Sequence, residues 1–174
     1  TKEYLEISQQ ELQRLTLLVD KVLRVSMFEN RNVELKPEPF NMELLVNEVK
    51  SSMRLQFENV NAEVSVGAEG EDMHVNADKL HIMSVVYNLF DNALKYSRDS
   101  PIINVKIRDK GDALELRFAD NGIGIPEEYR QKVCEKFCRV PHGDVHYVKG
   151  YGLGLSYVAH IVSEHRGTIS VDSK

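Results

Sequence analysis

Hydrophobic positions divide the chain into one long helical segment and a following region of mixed helices and strands. Over residues 1–28 apolar residues recur at alternating steps of three and four, which predicts a single helix. The apolar stripe is wider than a lone surface helix needs, so we expect this helix to pack against a partner. Residues 29–40 contain two asparagines and two prolines, which break a helix and favour an extended crossing. The residues of the stripe are Leu5, Leu12, Leu15, Leu18, Val19, Val22, Leu23 and Val25.

Helical patterns recur three times after this crossing. Asn41 occupies an N-cap position and opens a predicted helix that continues to about residue 57. A second helix is predicted over residues 78–96, with Ile82, Val86 and Phe90 on its core side. The last is predicted over residues 153–165 and is closed by Gly167. A short helix after Pro126 is also predicted.

Strand patterns lie between these helices. Residues 103–107 and 114–118 alternate apolar and polar side chains around a turn at residues 110–112, which predicts a β-hairpin. Shorter strands are predicted over residues 63–66 and 73–76, and a strand begins over residues 168–171. Helices together with a hairpin-built sheet predict an α+β fold, arranged as a two-layer α/β sandwich behind the front helix.

Composition and charge exclude several classes of function. The 174 residues carry a net charge of -5, with 42% hydrophobic and 28% charged residues, so no basic footprint for nucleic acid is present. Two cysteines are too few for a disulfide framework. No apolar run approaches the roughly 18 to 20 residues of a membrane span. These features predict a soluble, cytoplasmic segment that makes no contact with nucleic acid or membrane.

One helix carries a stripe of polar side chains. Asn88, Asn92, Lys95 and Tyr96 are spaced by four and by three or four residues, so they share a face of the predicted helix. Two amides, an ammonium group and a phenol can hold a hydrated divalent cation, a phosphate and an aromatic ring. The alternative interpretation is an ordinary solvated face.

Two glycine-rich segments follow this helix. Asp120 ends a strand directly before Gly122 and Gly124, where a carboxylate can accept a hydrogen bond from an amine of a ligand close to the backbone. The alternative there is a tight turn after a strand. Residues 150–154 place a glycine at every second position before a helix, whose free N–H groups can meet phosphate oxygens. Neither a P-loop nor a Rossmann fingerprint matches these glycines.

The order and spacing of these motifs resemble the N, G1 and G2 boxes of the histidine kinase ATPase family, whose relatives include gyrase, Hsp90 and MutL. Residues 134–139 resemble its F box. The resemblance covers about residues 10–172 and implies a Bergerat ATP-binding fold. It implies that residues 1–30 are the second helix of the dimerisation region, 31–40 a linker and 41–174 the ATP-binding domain.

The resemblance also implies a role for individual residues. Asn92 would ligate Mg²⁺ with support from Asn88, and Arg139 would meet the γ-phosphate. Lys95 would contact phosphate, while Tyr96 would pack on the adenine. Asp120 would accept a hydrogen bond from the adenine amine. The remaining implied nucleotide-binding residues are Gly122, Gly124 and Ile125 at the base, and Gly150, Gly152, Leu153, Gly154 and Leu155 at the phosphates.

The implied activity is that of a bacterial two-component histidine kinase, which passes phosphate from Mg-ATP to a histidine and then to a response regulator. The hydrolytic relatives carry a glutamate where this chain has Asn88, and an amide is not a useful general base, which favours transfer. None of the six histidines has the sequence context of a phosphoacceptor. The resemblance implies that the acceptor helix precedes Thr1, in a homodimeric parent held at the inner membrane.

Three other interpretations remain open at this stage. The chain could be a non-catalytic nucleotide-binding or dimerisation module, or an ATP hydrolase of the gyrase type. Cys134, Cys138, His142 and His146 recur every four residues, as in a zinc site on a helix, but Pro141 and Gly143 interrupt any such helix.

The chain also departs from the family pattern, at two positions that affect local packing and at its end. Cys138 replaces a usual aromatic, Arg166 replaces a frequent glycine, and the sequence ends before the family's closing strand.

Overall fold

Short strands and helices alternate along the computed structural model, which describes residues 34–97, 99–135 and 154–173. The long helix predicted over residues 1–28 lies outside the described residues. Those from Leu35 onward belong to one compact unit. The elements are β1 (Glu38–Asn41), α1 (Met42–Ser52), α2 (Arg54–Asn59), β2 (Glu63–Glu69), β3 (His74–Ala77), α3 (Lys79–Lys95), β4 (Ile102–Asp109), β5 (Leu114–Asp120), α4 (Glu127–Arg130) and α5 (Gly154–Glu164).

Two sheets organise these elements. Strands β1 and β3 pair antiparallel, with Glu38 opposite Ala77 and Asn41 opposite His74. The second sheet has the order β2-β4-β5, in which β2 is parallel and β5 antiparallel to β4. The parallel pair requires a long crossover, which β3 and α3 supply. The predicted hairpin of β4 and β5 is confirmed, as is the mixed α+β class.

The core lies where α1, α2 and α3 pack against the larger sheet. Ile103, Val105 and Ile107 of β4 are buried, as their alternation with polar residues predicts. Phe90 of α3 makes edge-to-face contacts with Phe57 of α2 and Phe118 of β5, at centroid distances of 5.4 and 5.3 Å. Phe118 is partly buried, and each of the fully buried side chains contributes about 1.5–3 kcal/mol, which fixes α3 against the sheet.

The first helical segment is confirmed at its start and is shorter than predicted. The Asn41 side chain accepts a hydrogen bond from the Leu44 N–H at 3.1 Å, as an N-cap does. The helix is interrupted at Met53, whose backbone leaves the helical region, and continues as α2. The Ser52 hydroxyl donates to the Val49 carbonyl at 2.7 Å and so competes with the backbone for that acceptor.

The last helix ends in a different way from the prediction. The sequence predicts that Gly167 closes α5, but Arg166 is the residue that adopts the left-handed conformation there, with φ 58°. Gly167 N–H donates to the Val162 carbonyl and Arg166 N–H to the Ser163 carbonyl, both at 2.9 Å, which is the Schellman pattern. Space favours glycine at position 167, because an added Cβ would lie 3.0 Å from Val162 Cγ1 and 3.2 Å from the Val162 carbonyl oxygen.

Replacing Arg166 by glycine is expected to stabilise the protein by about 0.5–1 kcal/mol, because a left-handed arginine is strained and glycine is not. Thermal or urea unfolding would measure the gain. Asn61 supplies a matched control, since it occupies the same left-handed position after α2 with φ 51°. Asparagine tolerates that conformation, so Asn61→Gly should gain less. An Arg166→Gly protein that is no more stable than the parent would contradict the strain.

The strand predicted over residues 168–171 is wrong. Residues 167–173 have no regular secondary structure, and Ile169 is partly exposed. Residues 169–171 face Arg130, Gln131 and Cys134 across a cavity of about 320 Å³. A hydrogen bond from Ile125 N–H to the Ser173 hydroxyl, 2.8 Å long, ties the segment to the loop before α4. This segment is therefore held by a loop and a short helix, and not by hydrogen bonds to a neighbouring strand.

Candidate functional site

The polar face of α3 is partly inside the protein. Asn88 is only 3% exposed, and its side-chain Nδ2 donates to the Ser84 carbonyl at 2.6 Å. Asn92, one turn later, is half-buried. The core side predicted for this helix is confirmed, since Val86 and Phe90 are fully buried. A buried amide is not part of a solvated surface, so that alternative fails for Asn88.

The first residue of α5 lies against this pair of amides. A Cβ placed on Gly154 would be 3.2 Å from Asn92 Oδ1, 3.3 Å from Asn92 Nδ2 and 3.6 Å from Asn88 Oδ1. The structure therefore brings together two motifs that are separated by about 60 residues in sequence. The first turn of a helix has free N–H groups and a partial positive charge. An anion bound there would face both asparagines.

The loop after β5 is attached to the carboxyl end of α3, close to Asn92. Asp120 Oδ1 accepts a hydrogen bond from Gly122 N–H at 2.8 Å, and Ile123 N–H donates to the Tyr96 carbonyl at 2.9 Å. A Cβ on Gly122 would lie 2.6 Å from Asp120 Oδ1 and 2.7 Å from the Tyr96 carbonyl oxygen. No residue other than glycine fits this position. Asp120 and the carboxyl end of α3 consequently lie side by side.

Residues that the sequence did not single out hold this loop in shape. Asn121 Oδ1 accepts from Ile102 N–H at 2.8 Å and fixes the turn to the start of β4. Arg130 Nε donates to the Ile125 carbonyl at 3.2 Å. Gly124 has φ 75°, a conformation that favours glycine. The sequence signal for Asn121 was available, because asparagine directly after a strand commonly forms side-chain bonds to backbone.

Lys95 is not directed at the two asparagines in this structure. Its ammonium group is paired with Asp91 one turn earlier on α3, and both side chains are partly exposed. An exposed pair of this kind contributes little to stability, so Lys95 can exchange partners at small cost. The contact between Lys95 and phosphate that the resemblance implies would require that exchange.

Several predicted site residues fall outside the described part of the chain. These are Arg139, Gly150, Gly152 and Leu153, together with Cys138, His142 and His146 of the possible zinc stripe. Leu155 is described and lies half-buried in the first turn of α5. Among residues with described positions, no three histidines, cysteines or acidic residues are grouped as metal ligands.

Asp78 anchors the amino end of α3, a role that the sequence indicated only as a helix start. Its carboxylate accepts hydrogen bonds from Lys36 N–H at 2.8 Å and from His81 N–H at 3.1 Å. The His81 ring nitrogen Nδ1 lies 2.9 Å from the same carboxylate, at ion-pair distance but without hydrogen-bond geometry. Burial opposes ionisation, but these partners outweigh it, so the pKa of Asp78 lies below its ordinary value.

Asp78→Asn is expected to lower stability at neutral pH by about 1–3 kcal/mol, because the amide keeps one acceptor oxygen and cannot serve both N–H groups. The lowered pKa means that the carboxylate stabilises the fold fully above the unfolded value of about 3.9. This contribution disappears as the pH falls through the folded pKa. Urea unfolding of both proteins between pH 7 and pH 3 should show the gap narrowing in acid. A gap that is constant with pH would contradict this.

Known proteins resemble the chain over the same residues. A family model described as histidine kinase-, DNA gyrase B- and HSP90-like ATPase matches residues 77–174. Sensor protein RprX of Bacteroides fragilis is 38% identical over 166 residues, which are 94% of this chain and 32% of the relative. Sensor histidine kinase WalK of Bacillus subtilis is 27% identical over 98% of this chain and 28% of its own length. The chain thus spans about a third of these relatives.

Solved structures agree with this similarity. The nucleotide-free catalytic domain of histidine kinase ThkA matches with a TM-score of 0.69 and 27% identity, over 78% of this chain and 86% of that one. The mycobacterial sensor histidine kinase MprB matches with a TM-score of 0.67 and 28% identity, over 79% and 85%. ThkA was also solved in complex with the response regulator protein TrrA, and that kinase covers 95% of this chain, with a TM-score of 0.69.

The matched region includes the motifs around Asn88, Asp120 and Gly154, which the structure places along one helix. It also covers more than half of the chain. Within residues 34–97, 99–135 and 154–173, no helix is long and apolar enough to cross a bilayer. The chain belongs to the family of histidine kinase-, DNA gyrase B- and HSP90-like ATPases, and residues 77–174 are an ATP-binding catalytic domain of the sensor histidine kinase type.

Proposed function

We propose that the chain binds Mg-ATP between α3, the loop after β5 and the first turn of α5. We further propose that the complete protein transfers the γ-phosphoryl group to a histidine of its dimerisation helix. The observation that carries this proposal is the close approach of Gly154 to Asn92 and Asn88, next to the loop in which Asp120 accepts from Gly122 N–H. Phosphoryl transfer requires mainly positioning and charge neutralisation, and these groups can provide both.

Asp120 and its loop form the proposed base-binding end. The adenine amine is a donor, and the Asp120 carboxylate is an acceptor. One carboxylate oxygen already holds Gly122 N–H, which fixes the orientation of the group. Because Gly122 has no Cβ, the loop can lie close to the end of α3, where Tyr96 caps the helix. Gly124 and Ile125 continue the same loop, which supports their assignment to the base pocket.

The two asparagines and α5 form the proposed phosphate end. Mg²⁺ prefers oxygen ligands and usually keeps several waters, binding through one or two protein groups and the phosphates. The half-buried Asn92 supplies one amide oxygen, while buried Asn88 packs beside it. A bound Mg²⁺ would neutralise negative charge on the phosphates. The first turn of α5 supplies backbone N–H groups from the opposite side.

The chemistry at position 88 favours transfer over hydrolysis of ATP. A hydrolase needs a general base that can take a proton from water, and an amide cannot do so near neutral pH. Asn88 is instead buried and bonded to the Ser84 carbonyl. The acidic residue of α3, Asp91, is paired with Lys95. The described part of α3 therefore offers no carboxylate beside the phosphate end that is ready to activate water.

The partners follow from the same proposal. The phosphoryl group would pass from the acceptor histidine to an aspartate of a response regulator, as the complex of ThkA with TrrA suggests by analogy. The proposed division of the chain into residues 1–30, 31–40 and 41–174 implies a homodimeric parent. Attachment of that parent to the inner membrane belongs to the same proposal.

Calorimetric titration tests the proposal directly. The chain would be titrated with ADP and with a non-hydrolysable ATP analogue, each with and without Mg²⁺. Binding that Mg²⁺ strengthens, without steady release of phosphate from ATP, would support the kinase assignment. Sustained release of phosphate would favour a gyrase-type hydrolase. Absence of binding by a folded sample would refute the proposed site and leave a non-catalytic module as the better interpretation.

A further inference from the structure

A partly buried hydrogen bond connects the amino end of α3 to the carboxyl end of α5. Asp78 N–H donates to His165 Nε2 at 2.9 Å, and His165 Nδ1 lies 2.8 Å from the Ile161 carbonyl oxygen. A carbonyl can only accept, so Nδ1 carries the ring proton and Nε2 is the acceptor. Both ring nitrogens are therefore committed to backbone groups, and the orientation of the imidazole is fixed.

The two helices run antiparallel, and a specific pair of residues brings them together at each end. At one end His165, just after α5, meets Asp78, the N-cap of α3. At the other end Gly154 meets Asn92 and Asn88. His165 lies eleven positions after Gly154, which corresponds to a rise of about 16 Å along a helix. A shift of α5 along α3 at the histidine end would therefore appear at the asparagines.

We propose that His165 is a positioning residue that sets the axial register of α5 against α3 and thereby holds the first turn of α5 at Asn92. The apolar residues buried along α5 include Val158 and Ile161, whose packing contacts are non-directional. A hydrogen bond at 2.9 Å is directional and loses strength within a fraction of an ångström. This inference rests on the proposed function, because the register matters only if phosphates bind at that turn.

Asp78 is itself held in place by hydrogen bonds other than the one to His165. Its carbonyl accepts the first hydrogen bond of α3, from Ile82 N–H at 2.9 Å, and its carboxylate holds Lys36 N–H just before β1. The residue whose N–H donates to His165 is therefore fixed by these other hydrogen bonds. His165 is the adaptable partner of the pair, so its substitution tests the register without removing the cap of α3.

The test compares two substitutions of similar size. His165→Gln retains an acceptor near the position of Nε2, and His165→Phe retains a ring without one. We expect His165→Phe to weaken binding of the ATP analogue with Mg²⁺ by about tenfold, equal to about 1.4 kcal/mol, and to leave adenosine binding within about twofold. His165→Gln should recover most of the loss. His74→Phe is the matched control, because His74 is exposed on β3.

The outcomes separate this inference from the proposed function. A parent protein that binds neither the ATP analogue nor adenosine refutes the proposed function. A parent that binds, together with a folded His165→Phe protein of unchanged affinity, overturns the role of His165 alone. An equal loss of adenosine and analogue binding also overturns it, because a general structural defect would act on both. Unfolding midpoints of each variant show whether the protein is folded.

Spectroscopy keeps the inference testable if His165→Phe does not fold. Nitrogen NMR of the parent protein should show the proton of His165 on Nδ1, and a proton on Nε2 would overturn the proposed hydrogen bond. The side-chain amide signal of Asn92 should move in His165→Asn, which shortens the side chain and withdraws the acceptor from Asp78. An unchanged Asn92 signal in that variant would also contradict the coupling.

Discussion

Asp120→Asn is expected to reduce the affinity for adenine nucleotides by about 100-fold or more while leaving the fold intact. The carboxylate has two acceptor oxygens, and one of them accepts from Gly122 N–H at 2.8 Å. In the variant, the amide oxygen would keep this bond and hold the loop. The amide NH₂ would then face the adenine amine, so that donor meets donor where the parent offers an acceptor. Calorimetry with ADP would measure the loss.

Asp112→Asn is the matched control for this experiment. Asp112 is an exposed carboxylate in the turn between β4 and β5, so the substitution removes the same charge away from the proposed site. Its affinity for ADP should equal that of the parent protein. A similar loss in both variants would indicate a long-range effect of charge. Unchanged affinity in Asp120→Asn would refute the assignment of the base pocket.

The parts of the fold that sequence could predict are those set by local periodicity and capping. The alternation in β4 identified Ile103, Val105 and Ile107 as core, because side chains of a strand alternate between faces. Asn41 was recognisable as an N-cap because its side chain acts within the next three residues. The three motif regions were recognisable because glycine, asparagine and aspartate carry conformational or ligand-binding properties that other residues lack.

The parts that sequence could not predict depend on contacts between distant segments or on competition between neighbours. The bond between Asp78 and His165 joins residues 87 positions apart. No local pattern indicates which histidine receives that N–H. At the end of α5, glycine is the usual left-handed residue, but Gly167 lies one position later, in a tight space beside Val162. Arg166 takes the strained left-handed position instead. Tertiary packing overrides the local preference there.

The contact of Gly154 with Asn92 belongs to the same class and matters most for the site. Sequence placed each residue on its own helix, but only the packing of α5 against α3 shows that the two helices meet at these residues. Asn88 was assigned to a polar face, whereas packing buries it against the backbone of its own helix. The site is therefore a property of the helix pair, and residues on both helices control it.

Asn92→Ala is expected to remove the increase in affinity that Mg²⁺ provides and to lower phosphoryl transfer by the complete kinase about 100-fold or more. The half-buried amide is the proposed protein ligand of the cation, and alanine offers no oxygen in its place. ADP titrations with and without Mg²⁺ should then give the same dissociation constant. Asn47→Ala, the same change in α1, is the control. A Mg²⁺ effect that survives in Asn92→Ala would refute the assignment.

Gly154→Ala tests the same contact from the other helix without removing any ligand. The new Cβ would lie 3.2 Å from Asn92 Oδ1, which is too close for an ordinary contact, so the amide or the start of α5 must move. We expect a weaker version of the Asn92→Ala result, about tenfold in the Mg²⁺-dependent affinity. Gly67→Ala is the control, because a Cβ there meets nothing within 4 Å. Loss in Asn92→Ala without loss in Gly154→Ala would mean that the asparagine binds the cation and α5 adapts. Loss of Mg²⁺-dependent affinity in both variants would mean that the position of α5 also determines how the cation binds.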